Sequence, residues 1–390
     1  MTRKRLQTKM AGVILAALML PIAAHAFQVL PRISDVDRKL ANMGSNQFLD
    51  NLGQWLVGNA IPMFKSPVHE AITLSALDCT AAPGAERACI TKDAVLAHQV
   101  LLYGSRWPDD PPFPLNRAAP PRMASCNVNV TLRSTSQPKC WQGLFSAGET
   151  LAKQRLADDP SEPAFGPGDY LLYRSHLGDL QFFHAMAAHD GEPAAETLLR
   201  MKMWAQFMWG VATRSIPTDQ FIRTLEVDGL GDYFPGDMTA TNLLATGIVE
   251  VRKNLDEVAI GVLLHMVQDS FSRSHASREP ESGGACERIP RFMQPGKITQ
   301  FYSYVGQVGS LHNHEDTFNA LGLQTLQTSP NVVDVSRAFL TLWKEGVPWS
   351  EAEKYFDCVF ALEKPDAEAG PGPFTKQKSD EPADPGPFIQ

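Results

Sequence analysis

Beyond its first 26 residues this 390-residue chain has no long apolar run, no Cys-x-x-Cys and no internal repeat. The first absence leaves no candidate membrane span in the rest of the chain, since crossing a bilayer takes ~20 apolar residues in succession. The second removes the usual thiolate spacing of structural zinc sites. No Gly-rich phosphate loop with its lysine occurs, which argues against a P-loop nucleotide site. Clear alternation of apolar and polar residues is absent as well, and helical period dominates wherever the pattern is clear. Positive charge is in deficit, with 35 Lys and Arg against 43 Asp and Glu and a net charge of −8. Such a balance disfavours a long polyanion or an anionic membrane as partner, although bound cations would reverse the sign locally.

What is present starts with a leader. Arg3, Lys4, Arg5 and Lys9 form a basic segment, residues 11–23 an apolar core too short to span a membrane, and Ala24-His25-Ala26 a small-x-small cleavage site. This pattern predicts a secretory signal peptide over 1–26, a mature chain starting at Phe27, and export to the periplasm or the medium. Removing those four basic residues and no acids takes the net charge from −8 to −12. Six cysteines remain, an even number in a protein bound for an oxidising compartment, and disulfides are expected. Two short intervals suggest Cys79 with Cys89 and Cys126 with Cys140, leaving Cys286 with Cys358.

The mature chain reads as all-α, a single largely helical domain over 27–362. Ser66-Pro67 looks like an N-cap followed by proline at the first helical position, with Ala71, Leu74 and Leu77 continuing the helix. Helical patterns follow over 93–102, 196–212, 241–269 (as one helix or two), 332–344 and 350–362. Prolines at 111, 112, 114, 120, 121 and 138 mark a loop-rich insertion over about 110–170, with room for a short hairpin. Residues 363–390 are rich in Pro, Gly and charge, and are expected to stay disordered.

Chemistry concentrates in Leu264-His265-Met266-Val267-Gln268-Asp269-Ser270-Phe271-Ser272-Arg273-Ser274-His275. His265 and Asp269 lie four apart and share one helix face, and His275 follows from the next loop. Imidazole and carboxylate without thiolate suit zinc sites that keep a position open for water. His312 and Asp316 repeat the four-residue spacing, with His314 and Glu315 between them; His69 stands in the first turn of its helix, Asp109 in an acidic turn, and His184 at the end of an apolar run. Each alone is more ordinarily a surface, turn or core residue; together they form a ligand inventory. Gln268, Asp110 and Glu315 are candidates to orient the imidazoles. Trp107, Phe182, Phe271 and Tyr302 are candidates for a lipid mouth or a base-stacking pocket, ordinary core being the simpler reading.

In order and kind, His69, Asp109, His184, His265, Asp269, His275, His312 and Asp316 resemble the metal ligands of the zinc-dependent phospholipases C and their sister group, the zinc-dependent single-strand nucleases. The resemblance covers roughly residues 60–360 outside the insertion; His176 competes with His184 for its slot. It implies one zinc on Asp109, His184, His265 and Asp269, a second on His275, His312 and Asp316, and a third sharing Asp269 with His69. In the family the amino group of the mature N-terminus also binds that third ion, but Phe27 stands 42 residues before His69, so two zincs and three are both open. Clustered zinc would neutralise a phosphodiester and lower the pKa of water to about 7, with Asp109 as ligand and proton acceptor. The expected activity is a phospholipase C that splits glycerophospholipids at a lipid surface into diacylglycerol and a phosphorylated head group. Asp316, where phospholipases usually carry Glu, keeps the single-strand nuclease as alternative, and a secreted binding protein without catalysis is the third reading.

Overall fold

The computed structural model describes residues 67–77, 79, 86–115, 126–321, 326–327 and 329–375. The leader, Phe27 and the Ser66 cap lie outside that set. Among the described residues the α-helices run in the order α1 (Val68–Leu77), α2 (Lys92–Ala97), α3 (Gln99–Arg106), α4 (Pro138–Asp158), α5 (Leu171–Leu177), α6 (Ala194–Ala212), α7 (Leu230–Tyr233), α8 (Ala240–Ala245), α9 (Leu255–Asp269), α10 (Gly309–Glu315), α11 (Phe318–Ala320), α12 (Val332–Lys344) and α13 (Trp349–Val359). The extended pieces are two antiparallel ribbons. One pairs β1 (Ala276–Arg278) with β4 (Ile298–Phe301), and the other pairs β2 (Gly284–Ala285) with β3 (Met293–Gln294). The protein is therefore mostly α-helical, as its periodicity predicts.

Helix α9 is the axis of the fold. From Val258 to Asp269 every residue is buried, and a helix apolar on all sides can only be central. It packs chiefly against α3 and α6, with α12 beside it. Its approach to α3 is set by two glycines. A Cβ on Gly104 would stand 2.2 Å from the carbonyl oxygen of Val258, and one on Gly261 would stand 2.4 Å from that of Leu101. Only glycine at both places lets the backbones meet so closely. Helix α12 is started by a capping box: Asn331 Oδ1 accepts from the amides of Val333 and Asp334, and Asp334 Oδ2 accepts from the amide of Asn331. The 241–269 pattern resolves into two helices, α8 and α9, and the 93–102 pattern breaks at His98 between α2 and α3.

Two expectations are corrected. The segment over 110–170 is not mainly loop: α4, with 21 residues, is the longest helix among the described residues. Pro138 occupies its first turn, where a missing N–H costs nothing, so a residue that reads as a loop signal starts the helix. Trp141, Leu144, Phe145, Gly148 and Ala152 form its buried face, the centre of a second apolar cluster with Phe165, Leu172 and Tyr173. The tail, expected to be disordered from 363, is docked as far as Thr375. The amides of Gly191, Ala194, Ser303 and Val308 donate to the carbonyls of Ala369, Ala367, Gly370 and Phe374, and the Phe374 ring is buried beside Tyr302. Backbone pairing and one aromatic anchor replace the apolar content the segment lacks.

Cystines join Cys79 to Cys89, Cys126 to Cys140 and Cys286 to Cys358, which points to an oxidising compartment. No described helix is long and apolar enough to cross a membrane.

Candidate metal centre

All eight ligand-type residues singled out in the sequence converge near the C-terminal end of α9, none more than 3% exposed. His69 comes from the first turn of α1, and Asp109 from the turn after α3. His184 closes a short 3₁₀ turn, Gln181–His184. His265 and Asp269 stand one turn apart on α9, His275 follows in the loop that enters β1, and His312 and Asp316 lie on and just after α10.

Three sets each bring one ligand atom per residue within 4.8 Å of the others: His69, His265 and Asp269; Asp109, His184 and His265; His275, His312 and Asp316. Asp269 faces two ways. Its Oδ1 lies 3.3 Å from His69 Nε2, and its Oδ2 lies 2.9 Å from both His184 Nδ1 and His265 Nε2. Asp109 reaches the same group at longer range, 3.9 Å from His69, 3.9 Å from His184 and 3.8 Å from His265. In the remaining set His312 Nε2 is 3.1 Å from Asp316 Oδ2, and His275 Nε2 is 3.9 Å from Asp316 Oδ1.

The imidazoles are oriented from behind. His69 Nδ1 donates to Gln268 Oε1 at 2.6 Å, and His265 Nδ1 to the carbonyl of Ser105 at 2.7 Å. His275 Nδ1 donates to the carbonyl of His184 at 2.6 Å, and His312 Nδ1 to Gln307 Oε1. In these four rings Nδ1 is thereby the protonated nitrogen, and Nε2 faces the other ligand-type atoms, that of His265 lying 2.9 Å from His184 Nδ1. His184 presents Nδ1 instead, and the left-handed backbone at Ala185 (φ 52°) turns the chain so that its carbonyl reaches His275. Asp316 Oδ1 accepts from the hydroxyls of Ser272 and Ser274 at 2.7 and 3.2 Å.

Of the expected orienting side chains, only Gln268 bonds a ligand imidazole. Asp110 accepts from the amide and hydroxyl of Ser134 and lies 3.4 Å from Arg133, and Glu315 lies against His314. Gln307 and the carbonyls of Ser105 and His184 escape sequence reasoning, because a backbone oxygen or a lone Gln carries no spacing signal. His176 lies beside His184 with ring centroids 5.1 Å apart and planes tilted by 42°, but its Nδ1 contacts Ser175 and the Leu172 carbonyl, and it belongs to none of the three sets. Trp107, Phe182, Phe271 and Tyr302 are all buried: they are core rather than the wall of a mouth.

Electrostatics decides what the cluster can hold. Arg106 stands 3.8 Å from Glu70, and Arg133 faces Asp110. Among the described residues neither arginine nor lysine pairs with Asp109, Asp269 or Asp316. Both oxygens of Asp109 are buried without a hydrogen bond, as are Asp269 Oδ1 and Asp316 Oδ2. Buried charges left this way cost several kcal/mol each unless a metal or a proton compensates them. Burial, then the charges of Asp269 and Asp316, push the Asp109 carboxyl well above the usual range. Burial also lowers His184, His275 and His265, the last to about 4, so these rings are neutral at pH 7, the form that ligates. Three buried carboxylates that no arginine or lysine among the described residues compensates, beside the neutral rings of His184, His265 and His275, make a set that can hold metal ions.

Compared with known protein families, curated proteins and solved structures, the chain matches none of them.

Proposed function

We propose that this helical protein is a metal-dependent hydrolase whose buried histidine and aspartate cluster holds two or three zinc ions. More particularly, it is a secreted phospholipase C that cleaves glycerophospholipids, built on the fold of the zinc phospholipases C and single-strand nucleases. The single observation that carries the reading is Asp109, a fully buried carboxylate with neither oxygen hydrogen-bonded, facing His69, His184 and His265. Zinc is favoured over softer or harder ions because the donors are imidazole and carboxylate, and all six cysteines are committed to disulfides.

Bound there, zinc supplies the positive charge that neutralises a phosphodiester and makes hydroxide accessible near neutral pH. The chain's own residues do the rest. Asp269 spans His69 on one oxygen and His184 with His265 on the other, which holds the ligands in register. Asp109, which faces His69, His184 and His265, is the group placed to accept a proton from the attacking water. Ser272 and Ser274 fix Asp316.

A panel of phosphatidylcholine, phosphatidylglycerol and single-stranded DNA with zinc-loaded protein tests the reading, together with elemental analysis. Release of diacylglycerol and at least two zincs per chain are expected. Less than one zinc in fully active protein refutes the metal assignment. Cleavage of DNA alone would move the chain to the nuclease group, the reading that Asp316 favours; metal without hydrolysis would make it a binding protein.

A further inference from the structure

A cavity of about 640 Å³ lies between the segment after Asp109, helix α5 and the stretch from α7 to α8, within the ~300–1,000 Å³ range of small-molecule sites. Phe113, Tyr170, Tyr233, Phe234, Met238 and Leu243 line it. None of the eight ligand-type residues lines it, but two of its lining residues are tied to segments that carry them. Phe113 follows Asp109 by four residues, and Arg174 on α5 grips Asp179, five residues before His184, at 2.8 and 2.7 Å.

The charges at its wall are already committed. Arg174 is bound to Asp179 and to the Tyr233 carbonyl, Asp169 is bridged by Arg155 at 3.0 Å, and Asp237 by Arg223 at 3.0 Å. A phosphate entering it would meet no uncommitted guanidinium, whereas an apolar chain would cover aromatic and aliphatic surface. The rim combines the exposed Arg223–Asp237 pair, whose guanidinium lies 5.4 Å over the Phe221 ring, with two exposed apolar residues. Met238 is exposed at the rim, and the backbone bond from Ile222 to the Met238 carbonyl holds the exposed Phe221 beside it. Single exposed apolar residues are ordinary, but Met238, which lines the cavity, and Phe221 beside it put two large ones near its mouth.

We propose that this cavity holds an aliphatic acyl chain of the substrate lipid, with Met238 and Phe221 as its lip. The inference deepens the phospholipase reading, on which it rests for the identity of the lipid as substrate. It adds where the apolar part of that lipid goes while the phosphodiester lies at the metal cluster.

The test is binding of the uncharged fluorophore N-phenyl-1-naphthylamine to the full mature chain in the presence of a chelator, so that hydrolysis plays no part. One probe per chain is expected, displaced by dioctanoylglycerol and not by oligothymidylate. Asn242→Trp, which places an indole over the cavity from an exposed lining position, should weaken probe binding at least tenfold. Met238→Asp, at the exposed rim, should weaken it severalfold with an unchanged melting temperature, and it decides the matter alone if Asn242→Trp does not fold. No bound probe, binding indifferent to Met238→Asp, or displacement by oligothymidylate in place of dioctanoylglycerol would overturn the inference. The hydrolysis panel fails separately: probe binding as expected without lipid cleavage removes the phospholipase activity and leaves an acyl-chain site.

Discussion

The side-chain oxygen of Gln268 accepts a 2.6 Å hydrogen bond from Nδ1 of His69, joining α9 to α1 across 199 residues of sequence. The same amide donates at 3.0 Å to the hydroxyl of Thr73, so its orientation is fixed from both ends. His69 is thereby held with Nε2 toward Asp269, on the face of the cluster opposite His184.

Gln268→Leu keeps the size of that side chain and removes both bonds. Metal affinity should fall by roughly 10- to 100-fold, the usual consequence of losing a partner behind a ligating imidazole. Competition with a chelator of known affinity measures it. Unchanged affinity would show that His69 is positioned by packing alone, or is not a ligand.

Asp269→Asn keeps shape and one acceptor oxygen but removes the negative charge between two sets of ligands. One metal should be lost and phosphodiester hydrolysis should drop by a hundredfold or more, about 3 kcal/mol of transition-state stabilisation. His314→Ala is the control. Its ring is largely exposed, touches Glu315 and takes part in none of the three sets, so most activity should remain. The reverse order of damage would show that the ligand register is wrong.

His176 supplies a pH dependence that metal-free protein can show. Burial pushes its pKa down to about 4, against 6.5 for an exposed imidazole. Above pH 6.5 neither state binds the proton and the contribution is complete. As pH falls from 6.5 towards 4, the unfolded chain takes up a proton that the folded chain refuses, and stability is lost. The slope is ~1.4 kcal/mol per pH unit, or about 2 kcal/mol at pH 5. His176→Asn lacks this loss, so its stability deficit in urea unfolding of metal-free protein should shrink by that amount between pH 7.5 and pH 5. A deficit constant across that range would contradict a neutral buried His176.

Docking of the C-terminal segment gives Phe374→Ala a cost of ~3 kcal/mol, since the ring is buried against Tyr302. Ending the chain after Leu362 should cost more, because the amides of Ser303 and Val308, next to the cluster, lose their acceptors. Thermal unfolding of both variants checks this. A full-length melting temperature in the shortened chain would mean that the docking contributes no stability.

The helical class, α12 to the residue and the cystine pairs were legible in the sequence: the first two follow from local pattern, two cystines from short separation, and Cys286 with Cys358 from what those leave. So was the set of residues that could hold a metal, since His265-x-x-x-Asp269 and His312-x-x-x-Asp316 place two donors on one helix face whatever the fold. Helix α4 was hidden by prolines that read as loop signals but sit at and before its start. The docked tail was hidden because its anchorage is backbone pairing, which leaves no apolar trace. What only the tertiary structure decided is the approach of distant segments. Gly104 and Gly261 look ordinary in their helices, yet their contact brings the Ser105 carbonyl under His265. The orientation of three of the four imidazoles, those of His69, His265 and His275, likewise rests on partners far away in sequence. Sequence names donors by type and spacing; which nitrogen faces a cation is set by the hydrogen bond behind it, and that bond exists only in the folded chain.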